Sequence, residues 1–115
     1  MSNQPGSNRP VWLSETSHPE LSDKLKIALK QVVDPELGLD VIQLGLIRNV
    51  TIEENRAIVS MILTTPFFPY GPSMIESIRL KSEEALEKTV AIDLGLEPWD
   101  FSMMEEDLGE EWGLF

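Results

Sequence analysis

Apolar residues fall into two helical stripes and three strand-like runs. In the first stripe Leu21, Leu25, Ala28, Leu29 and Val32 recur at i, i+4, i+7, i+8 and i+11, one face of a helix. Ser17 and Glu20 have capping-box spacing and Pro19 suits a first turn, so this helix is predicted to start at about Ser17. It should stop near Val33, because Pro35 disfavours a helical Asp34. Leu46–Ile52 reads as a strand with Leu46, Val50 and Ile52 on one side; Arg48 breaks the pattern. After a polar turn at Glu53–Arg56, Ala57–Thr64 reads as a second strand, apolar on both faces through Val59, Met61 and Leu63 and through Ile58 and Ile62. A strand of that kind belongs at the centre of a sheet, and the pair makes an antiparallel hairpin.

Three prolines and a glycine make Thr64–Pro72 a loop. A second amphipathic helix is predicted from about Ser73 to Lys88, with Ile75, Ile78, Ala85 and Leu86 inward. Val90–Leu96 alternates as a third strand whose apolar face carries Val90, Ile92, Leu94 and Leu96. Beyond Pro98, Ser102 and Glu105 repeat the capping-box spacing, and Phe101, Met104, Leu108, Trp112 and Phe115 form a short helical stripe. The predicted order is α–β–β–α–β–α. The fold class is therefore α+β, a two-layer sandwich with a small three-stranded mixed sheet and two main helices on one face. Residues 1–16 read as a flexible arm, with Val11, Trp12 and Leu13 able to tack it to the core, and 17–115 as a single domain.

Composition narrows the chemistry. The 115 residues contain no Cys and one His. That excludes a disulfide scaffold, a thiolate zinc site, a Cys nucleophile, a self-sufficient thiolate-ligated cluster and a multi-His metal centre. A net charge of −11 argues against nucleic-acid binding. No apolar run reaches the length of a membrane span, and Met1–Pro10 lacks the apolar region of a secretory signal, so a cytoplasmic protein is expected. The charge is skewed: Ser82–Phe115 holds eleven of the twenty acids and a single Lys. Such a segment is either a solvated face or a docking surface for a basic partner.

Few residues suggest chemistry directly. Asp34 and Glu36 flank a proline where a helix hands over to the sheet, which suits carboxylates that cap the loop backbone. As a pair they would also serve a weak hard-cation site or acid–base work, but no nucleophile or oxyanion partner accompanies them. Thr64 and Thr65 open the Pro-rich loop at the end of the central strand, a common place for binding, yet the loop lacks the glycines and Lys of a phosphate cradle. His18 reads as a surface or capping residue. Trp12, Trp99 and Trp112 either seal the sheet face that the helices leave open or anchor a partner or a second copy. That open face slightly favours a homodimer.

Asp34-Pro-Glu36, Leu44-Gly-Leu46, Thr64-Thr-Pro66, Pro69 and Glu97-Pro-Trp99 stand in the order and at the spacings of one family. From about Leu21 to Gly109 the chain resembles the metal–sulfur cluster biosynthesis family that includes the SufT and PaaD proteins. The resemblance implies a two-layer α/β fold and an accessory role in maturing iron–sulfur proteins. It carries over Asp34, Glu36, Thr64, Thr65 and Phe68 as site positions. The family's loop usually reads Thr-x-x-x-Cys-Pro, and Phe68 stands where its Cys would be; Gln43 stands where an Asp usually precedes Leu-Gly-Leu. A phenyl ring neither holds iron nor attacks a persulfide. The implied protein is thus a non-catalytic factor with no cofactor of its own, working through contacts with iron–sulfur assembly or client proteins. Phe67, Phe68, Tyr70, Trp99, Met104 and Trp112 are its expected contact residues, although Phe68 could equally fill the core. The alternatives are an adaptor outside cluster transfer and a metal-dependent enzyme built on Asp34 and Glu36.

Overall fold

The computed structural model describes residues 4–65 and 67–106. Its elements are α1 (Ser14–Ser17), α2 (Pro19–Leu29), β1 (Ile47–Ile52), β2 (Arg56–Met61), α3 (Gly71–Leu86), β3 (Thr89–Leu94) and a 3-10 turn (Phe101–Met103). β2 is central, antiparallel to β1 and parallel to β3, so the sheet is mixed as expected. Leu25 and Leu29 of α2, Met74, Ile78 and Leu86 of α3, and one face of the sheet close a single core. That sheet face carries Val50, Ile52, Ala57, Val59, Met61 and Val90, all buried. Full burial of each large side chain contributes about 1.5–3 kcal/mol before entropy is counted.

The opposite face carries Asn49, Thr51, Ile58, Ser60, Ala91 and Asp93, none of them fully buried. This mixture is polar enough to meet water, so the ground for placing a second copy there falls. Arg48, the residue that broke the strand pattern, sits at a bulge between Ile47 and Asn49. The extra residue resets the alternation, so that Ile47 and Val50 both reach the core while Arg48 turns outward.

Several boundaries differ from expectation. α2 starts at Pro19 without a side-chain cap, because the Ser17 hydroxyl bonds the His18 ring instead. The helix ends at Leu29, four residues early, and a tight turn from Leu29 to Val32 takes over. β2 and β3 both stop short of Thr64 and Leu96, which is 96% exposed. The stripe from Phe101 opens a single 3-10 turn, capped by Asp100 through the Ser102 N–H and hydroxyl, in place of the Ser102–Glu105 box. Leu108, Trp112 and Phe115 lie outside the described residues.

The expected flexible arm, over residues 4–16, lies against the domain. Trp12 is buried and donates its indole N–H to the Ile47 carbonyl at 2.9 Å. Glu15 accepts from the Trp12 N–H and pairs with Lys26 of α2. The indole needs a partner once buried, and the start of β1 supplies one.

Candidate functional site

The loop after α2 is organised by Asp34, which is fully buried. Its Oδ1 accepts the N–H groups of Glu36 (2.8 Å) and Leu37 (3.2 Å). Its backbone bonds Leu39 and Gly38. Such a turn is local chemistry: Asp bonds the backbone two and three residues ahead, and Pro35 has no N–H to compete. The other oxygen, Oδ2, accepts the Thr64 hydroxyl at 3.4 Å. Asp34 therefore ties two of the matched positions together. Glu36 gives only its N–H to this turn, and its side chain is exposed. The two carboxylates do not converge. Among the described residues no three His, Asp or Glu side chains are grouped to hold a metal ion. The carboxylate-enzyme reading thus loses its main residue to the backbone.

Leu44-Gly-Leu46 is the second organiser. Asp40 and Gln43 form a reciprocal capping box: Asp40 Oδ1 accepts from the Ile42 and Gln43 N–H groups, and Gln43 Oε1 accepts from the Asp40 N–H. The signal for it in the sequence is the Asp-x-x-Gln spacing itself. Gly45 adopts φ +73°, and a Cβ there would lie 2.1 Å from the Met103 carbonyl oxygen. Only glycine permits that approach. Arg9 donates to the same Met103 carbonyl at 2.8 Å. Burial lowers the Arg9 pKa from its usual range, with Glu105 acting against the shift. Trp99 donates its indole N–H to the Leu44 carbonyl at 2.7 Å, and Arg48 spans Gly45, Asn8 and Glu97. The Leu44–Leu46 turn thereby fastens both flanking segments of the chain.

Thr64 and Trp99 face one groove of about 220 Å³, with Leu63, Leu94, Leu96 and Glu97 among its walls. Thr65, beside Thr64, is exposed. In the next loop the expected contact residues separate. Phe67 is 91% exposed and Tyr70 is half exposed. Phe68 turns into the core, with its ring edge-on to Tyr70 at 5.7 Å. Met104 is also fully buried, so neither Phe68 nor Met104 is presented for contact. Trp112 lies outside the described residues. Arg9 and Gln43, which sequence reasoning did not assign to any framework, prove to hold it.

Comparison with known proteins agrees with this arrangement. The profile of the family described as "Iron-sulfur cluster assembly protein" matches residues 22–93. The chain is 41% identical over 88 residues to an "Fe-S protein maturation auxiliary factor" of Porphyromonas gingivalis, covering 74% of this chain and 84% of that one. It is 34% identical over 76 residues to the "Fe-S protein maturation auxiliary factor SufT" of Staphylococcus aureus, covering 64% of this chain and 86% of that one. A crystal structure of "Domain of Unknown Function DUF59" from Bacillus anthracis superposes with a TM-score of 0.75 at 25% identity, covering 87% of this chain and 98% of that one. The chain belongs to the iron–sulfur cluster assembly protein family.

Proposed function

We propose that the chain is a non-catalytic accessory factor in the maturation of iron–sulfur proteins, working through contacts with assembly or client proteins. Two relatives, of which it covers 84% and 86%, are named as maturation auxiliary factors. The observation that carries the reading is Phe68. It stands at the position of the family's usual Cys, and its ring is packed into the core. The remaining donors do not suit a cluster. Asp34 is committed to two N–H groups and the Thr64 hydroxyl, and the chain has no thiol. Cluster chemistry therefore belongs to partners, and this chain supplies a surface.

The test is a deletion in the native host with two readouts. Iron–sulfur enzyme activity should fall while the amount of the apo-enzymes stays constant, and the cloned chain should restore it. The purified chain should carry no stoichiometric iron. Full enzyme activity without the chain would favour an adaptor outside cluster transfer. Stoichiometric iron on the purified chain would mean that it holds a cluster by other ligands.

A further inference from the structure

β3 leaves part of its backbone unpaired at an edge. Its orientation is fixed by two hydrogen bonds. The Val90 N–H goes away from β2, to the Glu83 carboxylate of α3 at 3.0 Å. The Gly95 N–H goes toward β2, to the Met61 carbonyl at 2.8 Å. Successive residues of a strand address alternate sides in a parallel ladder, so Val90, Ile92 and Leu94 turn their polar groups outward. Glu83, itself held by Arg79 at 3.1 Å, closes the first of these positions. Among the described residues nothing bonds the outward groups of Ile92 and Leu94, and β3 has β2 as its only partner strand.

Edges are ordinarily blunted by Lys, Pro or a bulge. Ile92–Leu94 has none of these; its one charge, Asp93, repels an acidic strand but not a basic one, and the strand runs straight into the groove beside Thr64 and Trp99. Leu94 is 44% exposed and Leu96 is 96% exposed at its mouth. The surroundings are acidic: Asp93, Glu97 and Asp100 are exposed, Glu97 lying 3.6 Å from Arg48, and Ser82–Glu106 holds eight acids against one Lys. That Lys, Lys88, is bonded to the Glu54 carbonyl.

We propose that the Ile92–Leu94 edge and the adjoining groove form a strand-addition dock for an extended segment of a partner protein that alternates apolar with basic residues. The segment's backbone pairs with Ile92 and Leu94, an apolar side chain enters the groove, and its cations face Asp93, Glu97 and Asp100. A second copy is the poorer occupant, because a chain of charge −11 would set its own acids against these. The proposal rests on the reading above for the ligand being a protein; the site itself follows from the edge and the charge.

The test is an NMR titration of the full-length, isotope-labelled chain with a blocked synthetic peptide alternating Lys with Ile. Saturable shifts should centre on the Ile92, Leu94 and Leu96 amides, and exchange of the Ile92 and Leu94 amides should slow. A matched Glu/Ile peptide should bind at least about tenfold more weakly. Leu94→Lys should weaken the Lys/Ile peptide about fivefold or more, and the exposed Leu96→Ser, which removes apolar contact without changing the charge, should do the same with an unchanged melting point. Absence of shifts at Ile92 and Leu94, or equal binding of the Glu/Ile peptide, would overturn the proposal. So would a dimer of the free chain that Leu94→Lys dissolves, since the edge would then be held by a second copy. Failure here leaves the functional reading standing; that reading falls if iron–sulfur enzymes keep their activity without the chain or if the purified chain carries stoichiometric iron.

Discussion

Asp34 and Phe68, two positions that the family resemblance singles out, are both used for structure. Asp34, itself fully buried, accepts the Glu36 and Leu37 N–H groups and so holds the partly buried turn together. Asp34→Ala should therefore lower stability by about 2–4 kcal/mol, and Asp34→Asn, which keeps an acceptor oxygen, by less than half of that, as read from urea midpoints. Phe68→Cys removes a buried ring. It should cost about 2–4 kcal/mol, and the new thiol should react with a thiol reagent only on unfolding. An unchanged melting point would contradict the burial of Phe68. Both outcomes turn on tertiary placement, which a one-dimensional pattern does not contain: Phe67 and Phe68 are adjacent and chemically identical, yet one is 91% exposed and the other 5%.

The elements themselves were legible where their periodicity was long. The α2 stripe and the central position of β2 followed from the spacing of apolar residues, and the mixed sheet agreed with the order of the elements. Their ends were not, because side chains expected to act locally were used elsewhere. Ser17 bonds His18 rather than capping α2, and Asp100 displaces Ser102 as the cap of the last turn. Leu96 completes an alternation without a sheet to join, and the bulge at Arg48 hid the inward side of β1. The end of α3 makes a further point. Glu87 closes the helix at φ 54°, a left-handed position that favours glycine. Glu87→Gly should raise stability by about 0.5–1 kcal/mol, measured by thermal denaturation, despite adding a flexible residue.

Across the whole molecule, the segments flanking the hairpin and helices act as clamps. Residues 8–12 and 97–105 meet at the Leu44–Leu46 turn through Arg9, Trp12, Arg48 and Trp99. Removing residues 1–12 should cost about 3–5 kcal/mol, chiefly through the loss of Trp12, and calorimetry would read it directly. The clamp also has a pH dependence. Burial works to raise the Glu15 pKa, but the Trp12 N–H and Lys26 hold it below the usual carboxylate range. Its folded value lies below its unfolded value, so it adds stability above the unfolded value and loses it as the pH falls through the folded one. The stability gap between wild type and Glu15→Gln should shrink on acidification over that window, measured by urea titration at each pH. No helix among the described residues is long and apolar enough to cross a membrane.

The central strand has its two neighbours at unequal distances along the chain. β1 lies across a short turn, whereas Ser60 of β2 meets Asp93 of β3 at a separation of 33 residues, beyond the whole of α3. On a ribosome that separation becomes a delay of roughly 2–7 s at ordinary elongation rates. Throughout it, the apolar run Ala57–Met61 has one side paired and the other open to neighbouring nascent chains. Emergence of β3 ends that interval, so whatever delays it after β2 has emerged lengthens the time in which a holdase chaperone has something to hold.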